Sequence, residues 1–379
     1  MKKIVTGVLV FCLLLSVSSV WAPETARVIV VFNNTPDVAL LSQYGKVDQI
    51  FHVIPAAVVT LPEYSVEALA RNAEIKYVQP DYYRQFVIAP QNEGEPLDQV
   101  IPWGVDRVDA DRAWQYSTGK KVKVAVIDTG IDVDHPDLEE NIHGGINTIA
   151  PNQGYEPDDI DDDHGHGTFC AGIIAAVDND IGVIGVAPDA WLYSVKVLNL
   201  SGSGYISDII EGIEWCIDKE MQVINMSFGG YEDYPALHDA CDAAWDHGCI
   251  LVASEGPCGY TAYPAAYSSV IAVAATDRED YQGCEYGAEL ELVAPGEEIL
   301  STVPGGGYAV MSGTSFGCPH VSGTAALVIA IHPSYTNGMV RRILQMTAED
   351  LGAPGWDPYY GFGLVDAEAA VTYPGVTPY

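Results

Sequence analysis

The chain has 379 residues, of which 48% are hydrophobic, so it has room for one large domain and a smaller unit beside it. It carries 52 acidic against 17 basic residues, and its formal net charge is −35. Such an acidic surface argues against nucleic acid and anionic membranes as partners. We expect a soluble monomer that binds no nucleic acid and has no stable association with a membrane.

The first 22 residues have the pattern of a secretory signal peptide. Lys2 and Lys3 precede an apolar run, and Val20-Trp-Ala22 offers a small-residue cleavage site. The alternative is a membrane anchor, for which the run is near the lower limit of length. We favour the signal peptide, and therefore a secreted, extracellular protein, because the run thins at Ser16–Ser19 and no later segment is apolar enough to span a membrane.

Residues 23–83 predict a small α/β unit with strands at 27–32, 56–61 and 75–78 and a helix at 65–71. Residues 84–98 are polar, acidic and contain proline, which is typical of an exposed linker. The chain therefore predicts two folded parts joined by a linker, the second of them covering residues 99–379.

In this second part strands and helices alternate. Short apolar runs typical of buried parallel strands lie at 121–127, 192–198, 223–226, 250–253 and 270–274. Helical patterns lie at 168–177, 206–219, 235–247, 321–331 and 336–346. The alternation predicts an α/β fold with a parallel sheet and helices on both faces. Reactive groups in such sheets collect at the carboxyl ends of the strands.

Seven cysteines follow the signal peptide, so at least one of them is unpaired. Three lie in apolar helical patterns and are predicted to be buried thiols: Cys170, Cys216 and Cys318. The others are expected to form disulfides, with the pairing left open: Cys241, Cys249, Cys258 and Cys284.

Three polar residues stand where a parallel sheet would bring them together. Asp128 follows the strand that ends at Ile127, His166 precedes a helix, and Ser315 lies in a Gly-Thr-Ser turn that opens another helix. In a catalytic triad serine attacks a carbonyl, histidine carries the proton and a buried aspartate orients the histidine. The backbone N–H at a helix start can also hold an oxyanion. The simpler alternative for Ser315 alone is a helix cap.

The motifs around these residues resemble those of the subtilisin-like serine peptidases, the subtilases. Val-Ile-Asp-Thr-Gly at Asp128, His-Gly-Thr at His166 and Gly-Thr-Ser-x-x-x-Pro-His-Val at Ser315 occur in the family's order. Two further stretches match as well, 225–230 and 360–367. The resemblance covers nearly everything after the signal peptide.

The resemblance implies a secreted serine endopeptidase that acts on protein or peptide substrates through an acyl-enzyme. It also implies a subtilisin-like fold preceded by a ferredoxin-like α+β propeptide, residues 23–83, which inhibits the enzyme and assists its folding. Such a chain would be a zymogen that cuts itself somewhere in 84–98. A metal hydrolase built on His164 and His166 is the alternative from another class of mechanism.

The substrate site is implied by the same resemblance. A strand made by Ser203, Gly204 and Tyr205 would pair with an extended substrate. The P1 pocket would be walled by five residues: Ser227, Phe228 and Gly229, with Ser254 and Gly256 opposite. A glycine-lined slot without a facing charge implies broad specificity with a preference for large apolar P1 side chains. We expect Glu255 to point to solvent, although turned inward it would favour basic P1 residues.

Structural Ca²⁺ is the implied cofactor. In the family's calcium site, side-chain oxygens would come from Gln99, Asp137 and Asn179, and carbonyl oxygens from Val177, Ile181 and Val183. Hard oxygen ligands in a loop suit Ca²⁺. The alternative is a plain polar turn after a helix.

The chain departs from the family pattern at Pro257, where the family has the Asn that donates the second oxyanion hydrogen bond. Proline offers no donor, and loss of this donor in subtilisin costs roughly 10²–10³ in rate. Three outcomes stay open: Thr314, Tyr260 or Thr261 donates instead, the enzyme is slow, or the chain is a weak or inactive peptide-binding pseudopeptidase. A second departure, Phe169, is expected to affect packing only.

The acidic run 156–163 leads straight to His166. We predict that this run raises the pKa of His166 by favouring the imidazolium, and that molar salt screens the effect.

Overall fold

The computed structural model describes residues 24–87, 98–149, 154–256, 259–283 and 287–375. The predicted signal peptide lies outside the described residues, and so does most of the predicted linker. The helices and strands are numbered below in chain order.

The N-terminal unit, residues 24–87, contains one four-stranded antiparallel sheet of strand order β2-β3-β1-β4. Its elements are β1 (Thr25–Phe32), α1 (Val38–Leu41), β2 (Lys46–Ile50), β3 (Ala56–Pro62), α2 (Glu63–Ala70), β4 (Ile75–Pro80) and β5 (Tyr83–Gln85). Strand β2 was not predicted, because its sequence, Lys-Val-Asp-Gln-Ile, is mostly polar and belongs to a sheet edge.

The main domain is built on seven parallel strands in the order β13-β12-β11-β10-β6-β8-β7. The strands of the sheet are β6 (Lys123–Asp128), β7 (Ile142–Asn147), β8 (Trp191–Lys196), β10 (Val223–Met226), β11 (Ile250–Ser254), β12 (Ile271–Thr276) and β13 (Leu290–Pro295). The predicted parallel α/β sheet is confirmed. The two edge strands, β7 and β13, were not predicted, because glycines in β7 and Glu291 in β13 interrupt their apolar runs.

Helices cover both faces of this sheet. They are α3 (Trp103–Arg107), α4 (Ala110–Ala113), α5 (His166–Ala175), α6 (Ile206–Asp218), α7 (Pro235–Asp246), α8 (Gly317–Ile331), α9 (Asn337–Thr347) and α10 (Ala367–Thr372). Two hairpin strands, β14 (Ile299–Val303) and β15 (Gly307–Met311), and the short β9 (Ser203–Tyr205) complete the domain. Side chains of β6 alternate between the two cores: Val124 and Val126 pack with α5 and α8, whereas Ala125 and Ile127 pack with α6 and α7.

The N-terminal unit extends the core on the α6 and α7 face. Ile29, Val31 and Phe51 are at most 1% exposed and belong to the same apolar cluster as those helices. The opposite face of its sheet, with Val28 and Val30, packs on its own helices. Both faces of the small sheet are therefore buried, one of them against the main domain.

The start of the predicted linker has exposed side chains, as expected, but its backbone is paired with the main domain. Tyr83–Gln85 forms β5, which pairs antiparallel with β9 of the main domain. Phe86 is half-buried and Val87 is only 4% exposed. The polar composition suggested a linker because a segment of three residues carries no strand pattern of its own. It forms a strand only because β9 is present to pair with it.

The expected disulfides of Cys241 and Cys249 are wrong. Both thiols are free and buried, 0% and 2% exposed, in the cluster that lies between the sheet and α6 and α7. They behave as small apolar side chains, as predicted for Cys170, Cys216 and Cys318, which are also free and buried. Cys258 and Cys284 lie outside the described residues.

Within the described residues, one helical stretch, Thr314–Ile331, has the length and apolar composition needed to cross a membrane. Of its residues, 78% are buried inside the domain, where Gly317–Ile331 forms the central helix α8. A core helix passes the same test of length and composition, so the stretch is weak evidence for a membrane span.

Leu251, in β11, is fully buried, whereas Leu200 is 66% exposed. We expect Leu251→Ala to lower the free energy of unfolding by about 3 kcal/mol, because it leaves a cavity between sheet and helices. Leu200→Ala removes the same atoms from the surface and should change it by less than about 0.5 kcal/mol. Urea-induced unfolding measures both; equal losses would contradict the described core.

Candidate active site

Asp128 and His166 form a buried hydrogen-bonded pair at the carboxyl end of β6. Asp128 is the last residue of that strand, His166 is the first residue of α5, and they are 0% and 3% exposed. The Nδ1 atom of His166 lies 2.9 Å from each carboxylate oxygen of Asp128. Because the carboxylate accepts the Nδ1–H, Nε2 is the ring nitrogen that can take up a proton.

The charge of Asp128 decides the protonation of the imidazole. Burial by itself lowers the pKa of His166, but the adjacent Asp128 carboxylate, with a smaller contribution from Cys170, outweighs burial and holds the pKa well above its ordinary value. The predicted rise is therefore confirmed in direction, but its causes are Asp128 first and Cys170 second, and not the acidic run. A buried pair is screened little by salt, so the expected salt dependence becomes a weak one.

The acidic run is also not a solvated loop throughout. Asp162 is 5% exposed and accepts hydrogen bonds from neighbouring backbone N–H groups. Asp163 pairs with the buried amine of Lys196 at 2.7 Å. These carboxylates are bound to partners of their own, and sequence reasoning missed this because only tertiary structure supplies those donors.

Ser315 lies in a short 3₁₀ turn, Thr314–Phe316, directly before α8. The ring of Phe316 lies 5.7 Å from the ring of His166, so the turn packs against the imidazole. Among the described residues, the side chain of Ser315 makes no hydrogen bond, to His166 or to any other group. Catalytic hydrogen bonds are often long before substrate binds.

Asn225 of β10 fastens the start of α8 to the sheet. Its Oδ1 accepts hydrogen bonds from Cys318 Sγ at 3.1 Å and Ser322 Oγ at 2.9 Å, and its amide donates to Ser227 Oγ at 2.8 Å. All of these groups are buried. Helix α8, which follows Ser315, is therefore fixed relative to β10, the strand that leads to Phe228.

Phe169, the second departure from the family pattern, packs as expected. It is fully buried, and its ring lies 4.5 Å from that of Phe316.

The strand made by Ser203, Gly204 and Tyr205 is paired, and its partner is the chain itself. Gln85 lies opposite Ser203, Arg84 opposite Gly204 and Tyr83 opposite Tyr205. The backbone continues the pairing, since Phe86 N donates to Gly202 O at 2.8 Å. An added strand of this kind is one of the ways in which folded domains hold extended peptides.

The residues predicted to wall a P1 pocket lie close together. Ser227, Phe228 and Ser254 are each at most 2% exposed. A Cβ atom on Gly229 would lie 2.8 Å from Ala262 Cβ, and one on Gly256 would lie 2.6 Å from the same atom. Both glycines therefore pack closely against Ala262, and neither position leaves space for a side chain. The ring of Phe86 lies 5.6 Å from that of Phe228, beside these residues.

Glu255 does not point to solvent, contrary to expectation. It is 0% exposed, and its Oε1 accepts a hydrogen bond from Thr261 Oγ1 at 3.2 Å. This contact could not be predicted from the sequence, because Thr261 follows a turn whose path depends on the fold. Thr261 is thereby engaged, which leaves Thr314 and Tyr260 of the three suggested oxyanion donors. Pro257 lies outside the described residues.

The six residues suggested for calcium surround one loop after α5. Asp137 is fully buried; its Oδ2 accepts from Val183 N at 2.9 Å, while its Oδ1 has no hydrogen-bond partner among the described residues. The amide of Gln99 lies 2.8 Å from Val177 O and 3.5 Å from Val183 O. Asn179 Oδ1 accepts from Ile181 N at 3.1 Å.

This donor set fits a hard cation. A buried carboxylate oxygen without a donor is costly unless a positive charge or a hydrogen bond compensates it. Burial raises the pKa of Asp137 to about 6, which is the effect of desolvating a carboxylate. A half-turn of the Gln99 amide would bring its oxygen beside the same two carbonyl groups, as a Ca²⁺ ligand set requires.

A parallel sheet covered by helices on both faces, with a buried Asp–His pair at the carboxyl end of a central strand, is an arrangement typical of hydrolytic enzymes. Residues 119–363 match the family model described as the Subtilase family. The chain is 42% identical over 335 residues to Subtilisin NAT of Bacillus subtilis subsp. natto, covering 86% of this chain and 83% of that one.

Two further relatives agree. Alkaline protease of Alkalihalobacillus alcalophilus is 42% identical over 343 residues, 88% of this chain and 85% of the relative. Subtilisin Savinase of Lederbergia lenta is 46% identical over 277 residues, 72% of this chain and 99% of the relative. The chain belongs to the subtilase family and is a serine endopeptidase.

The Asp128–His166 pair predicts an unusual titration. In a Ser315→Ala background, which leaves both partners unchanged, the imidazolium should persist to a pH well above 6.5, the pKa of an unperturbed histidine. Asp128→Asn removes the charge but keeps the burial, so the pKa should then fall below the ordinary value. NMR titration of the His166 ring measures both, and 1 M NaCl should shift the first midpoint little. A large shift of this midpoint in salt would indicate that the acidic run, residues 156–163, raises the pKa of His166.

Proposed function

We propose that this chain is a secreted endopeptidase in which Asp128, His166 and Ser315 act as a catalytic triad. The observation that carries the proposal is the buried hydrogen bond from His166 Nδ1 to Asp128, with the serine turn packed beside the same imidazole through Phe316. The motifs around all three residues and the chain's membership in the subtilase family support the same assignment.

In this proposal Ser315 Oγ attacks the carbonyl carbon of the scissile bond while His166 Nε2 takes its proton. The oxyanion forms beside the backbone N–H of Ser315, and Thr314 or Tyr260 supplies the second hydrogen bond in place of an asparagine. His166 then protonates the leaving amine, and a water molecule attacks the acyl-enzyme by the same route. Asp128 stabilises the imidazolium throughout.

The alternative is a weak or inactive peptide-binding pseudopeptidase, suggested by Pro257. We favour the active enzyme because the buried Asp128–His166 pair is intact. A buried carboxylate and an imidazole with a raised pKa are costly to keep unless chemistry uses them.

We further propose that the N-terminal unit is a ferredoxin-like propeptide that inhibits the enzyme. Its element order, β-α-β-β-α-β, supports the fold. Strand β5 pairs with β9 where a substrate would lie, which supports inhibition by occupation of the cleft. The Asp81 carboxylate accepts hydrogen bonds from Ser207 N and Oγ at 3.0 and 2.7 Å, and so caps the start of α6.

The cut that releases the enzyme would then fall beyond Val87, the last described residue of this segment. The chain runs through the cleft as far as Phe86 and Val87, so the scissile bond is expected in residues 88–98. Residues 1–22, outside the described range, supply the signal-peptide pattern on which the extracellular location rests. Protein substrates and a monomeric state complete the proposal.

For specificity, we propose a P1 pocket for large apolar side chains between Phe228 and Gly229 on one side and Ser254 and Gly256 on the other. The ring of Phe86, an apolar side chain that lies 5.6 Å from the ring of Phe228, supports this preference. The buried Glu255 is engaged by Thr261, so it is not assigned the recognition of basic side chains.

For the cofactor, we propose structural Ca²⁺ bound by Gln99, Asp137 and Asn179, with the carbonyl groups of Val177, Ile181 and Val183. The buried Asp137 Oδ1, which lacks a donor among the described residues, supports this. When bound, the ion would neutralise that carboxylate and tie the loop after α5 to the segment around Gln99.

Ser315→Ala should abolish both activity and self-processing. N-terminal sequencing of purified wild type should give a start after residue 87, and the variant should keep residues 24–87 attached. Ser312→Ala is the matched control, because Ser312 is an exposed serine of the same loop. Casein hydrolysis measures activity. An uncut wild type without activity would instead support the pseudopeptidase.

Asp137→Asn should remove most of the stabilisation that calcium gives. A ligand that binds only the folded state stabilises it by about 2.7 kcal/mol at 100 times its Kd, so wild type should show a calcium-dependent Tm. The exposed Asp134→Asn removes the same charge nearby and should keep that dependence. Calorimetry with calcium or with chelator decides; if Asp137→Asn responds to calcium like wild type, the site is wrong.

A further inference from the structure

Asp162 is a buried carboxylate to which five hydrogen-bond donors point. Its Oδ1 accepts from Thr129 Oγ1 at 2.8 Å, His164 N at 3.0 Å and Gly165 N at 2.8 Å. Its Oδ2 accepts from Thr168 N at 2.9 Å and Thr168 Oγ1 at 2.6 Å. Asp162 has not been assigned to the triad, the substrate cleft or the calcium loop.

The donors come from two different turns. The aspartate turn, residues 128–132, carries Asp128, and the histidine turn, residues 164–168, carries His166. Thr129 Oγ1 donates to Asp162 and accepts from Gly167 N at 3.0 Å. Thr168 Oγ1 donates to Asp162 and accepts from Asp132 N at 2.9 Å. Each hydroxyl therefore joins one turn to the other, and both hydroxyls are oriented by the same carboxylate.

The two turns are also in close contact. A Cβ atom on Gly167 would lie 2.1 Å from Gly130 O, so only glycine fits there. The network reaches the catalytic pair itself, because Thr129 N donates to Asp128 Oδ1 at 2.7 Å. A small shift between the turns would alter the 2.9 Å contact of Asp128 with His166.

We infer that Asp162 is a positioning residue, which fixes the distance and orientation between Asp128 and His166 by binding the aspartate turn and the histidine turn to one carboxylate. The inference rests on the proposed triad. Asp162 does not touch the reacting atoms; it acts through Thr129 and Thr168.

Only a carboxylate can hold all five donors. An asparagine has one acceptor oxygen, and its NH₂ group would face N–H or O–H donors on the other side. Asp162→Asn would therefore leave two or three buried donors unsatisfied while keeping the size of the side chain. A longer glutamate would push the two turns apart.

The test compares Asp162→Asn with Asp161→Asn in the matured protein. Asp161 is exposed and accepts a hydrogen bond from Val133 N at 3.2 Å, so its replacement removes the same charge one residue away. We expect Asp162→Asn to lower kcat roughly 10²-fold with KM almost unchanged, since a misplacement of about 1 Å has that effect. Asp161→Asn should retain the wild-type kcat.

A second readout does not require turnover. The His166 Nδ1 proton, which is buried and hydrogen-bonded to Asp128, should give a far-downfield NMR resonance in wild type and Asp161→Asn. It should broaden or disappear in Asp162→Asn. If Asp162→Asn matures with the kcat and the resonance of Asp161→Asn, the inference is overturned.

If Asp162→Asn does not fold, Thr129 provides the test. Thr129→Val removes the hydroxyl that joins Asp162 to Gly167 N, and Thr129→Ser keeps it. We expect kcat and the downfield resonance to be lost in the valine variant and recovered in the serine variant; equal behaviour of the two overturns the inference. Failure of the triad proposal would give a different result, because Ser315→Ala would then remain active. The His166 Nδ1 resonance could still be compared between Asp162→Asn and Asp161→Asn in that case.

Discussion

The hydrogen bond between Asp128 and His166 is the interaction on which the rest of the site depends. A buried carboxylate is stable beside a buried imidazole only if the ring N–H donates to it in a fixed geometry, since either group alone would carry an uncompensated desolvation cost. The fold meets this condition by ending β6 at Asp128 and beginning α5 at His166. The parallel sheet matters to the site chiefly because it brings the end of β6 and the start of α5 to the same edge of the sheet.

The remaining contacts either fix that geometry or control access to it. Asn225 holds the start of α8, and with it Ser315, against the sheet. The N-terminal unit covers the α6 and α7 face and lays β5 along β9. In the proposed zymogen, inhibition and substrate recognition would use the same backbone hydrogen bonds of β9, so that substrate could displace the segment that stabilises the precursor.

The fold was largely readable from the sequence, and the surroundings of the site were not. Runs such as 223–226 and 250–253 predicted buried parallel strands because apolar continuity reports burial on both faces. The motifs at Asp128 and His166 predicted which residues meet. The burial of charged residues was wrongly predicted where it depends on tertiary partners. Asp162 and Glu255 are buried because backbone N–H or hydroxyl groups donate hydrogen bonds to them, and composition cannot reveal such donors.

Short segments were misjudged for a related reason. Tyr83–Gln85 has no strand pattern of its own and becomes a strand through β9. Cys241 and Cys249 are buried in the apolar core, where a free thiol is as acceptable as a methyl group.

The central claim is that Asp128, His166 and Ser315 form one activated nucleophile, and covalent labelling tests it most directly. Matured protein treated with a sulfonyl fluoride, digested and analysed by mass spectrometry should carry a single adduct on Ser315, and Asp128→Asn should slow the labelling strongly. An adduct on another serine, or labelling whose rate is unaffected by Asp128→Asn, would contradict the account.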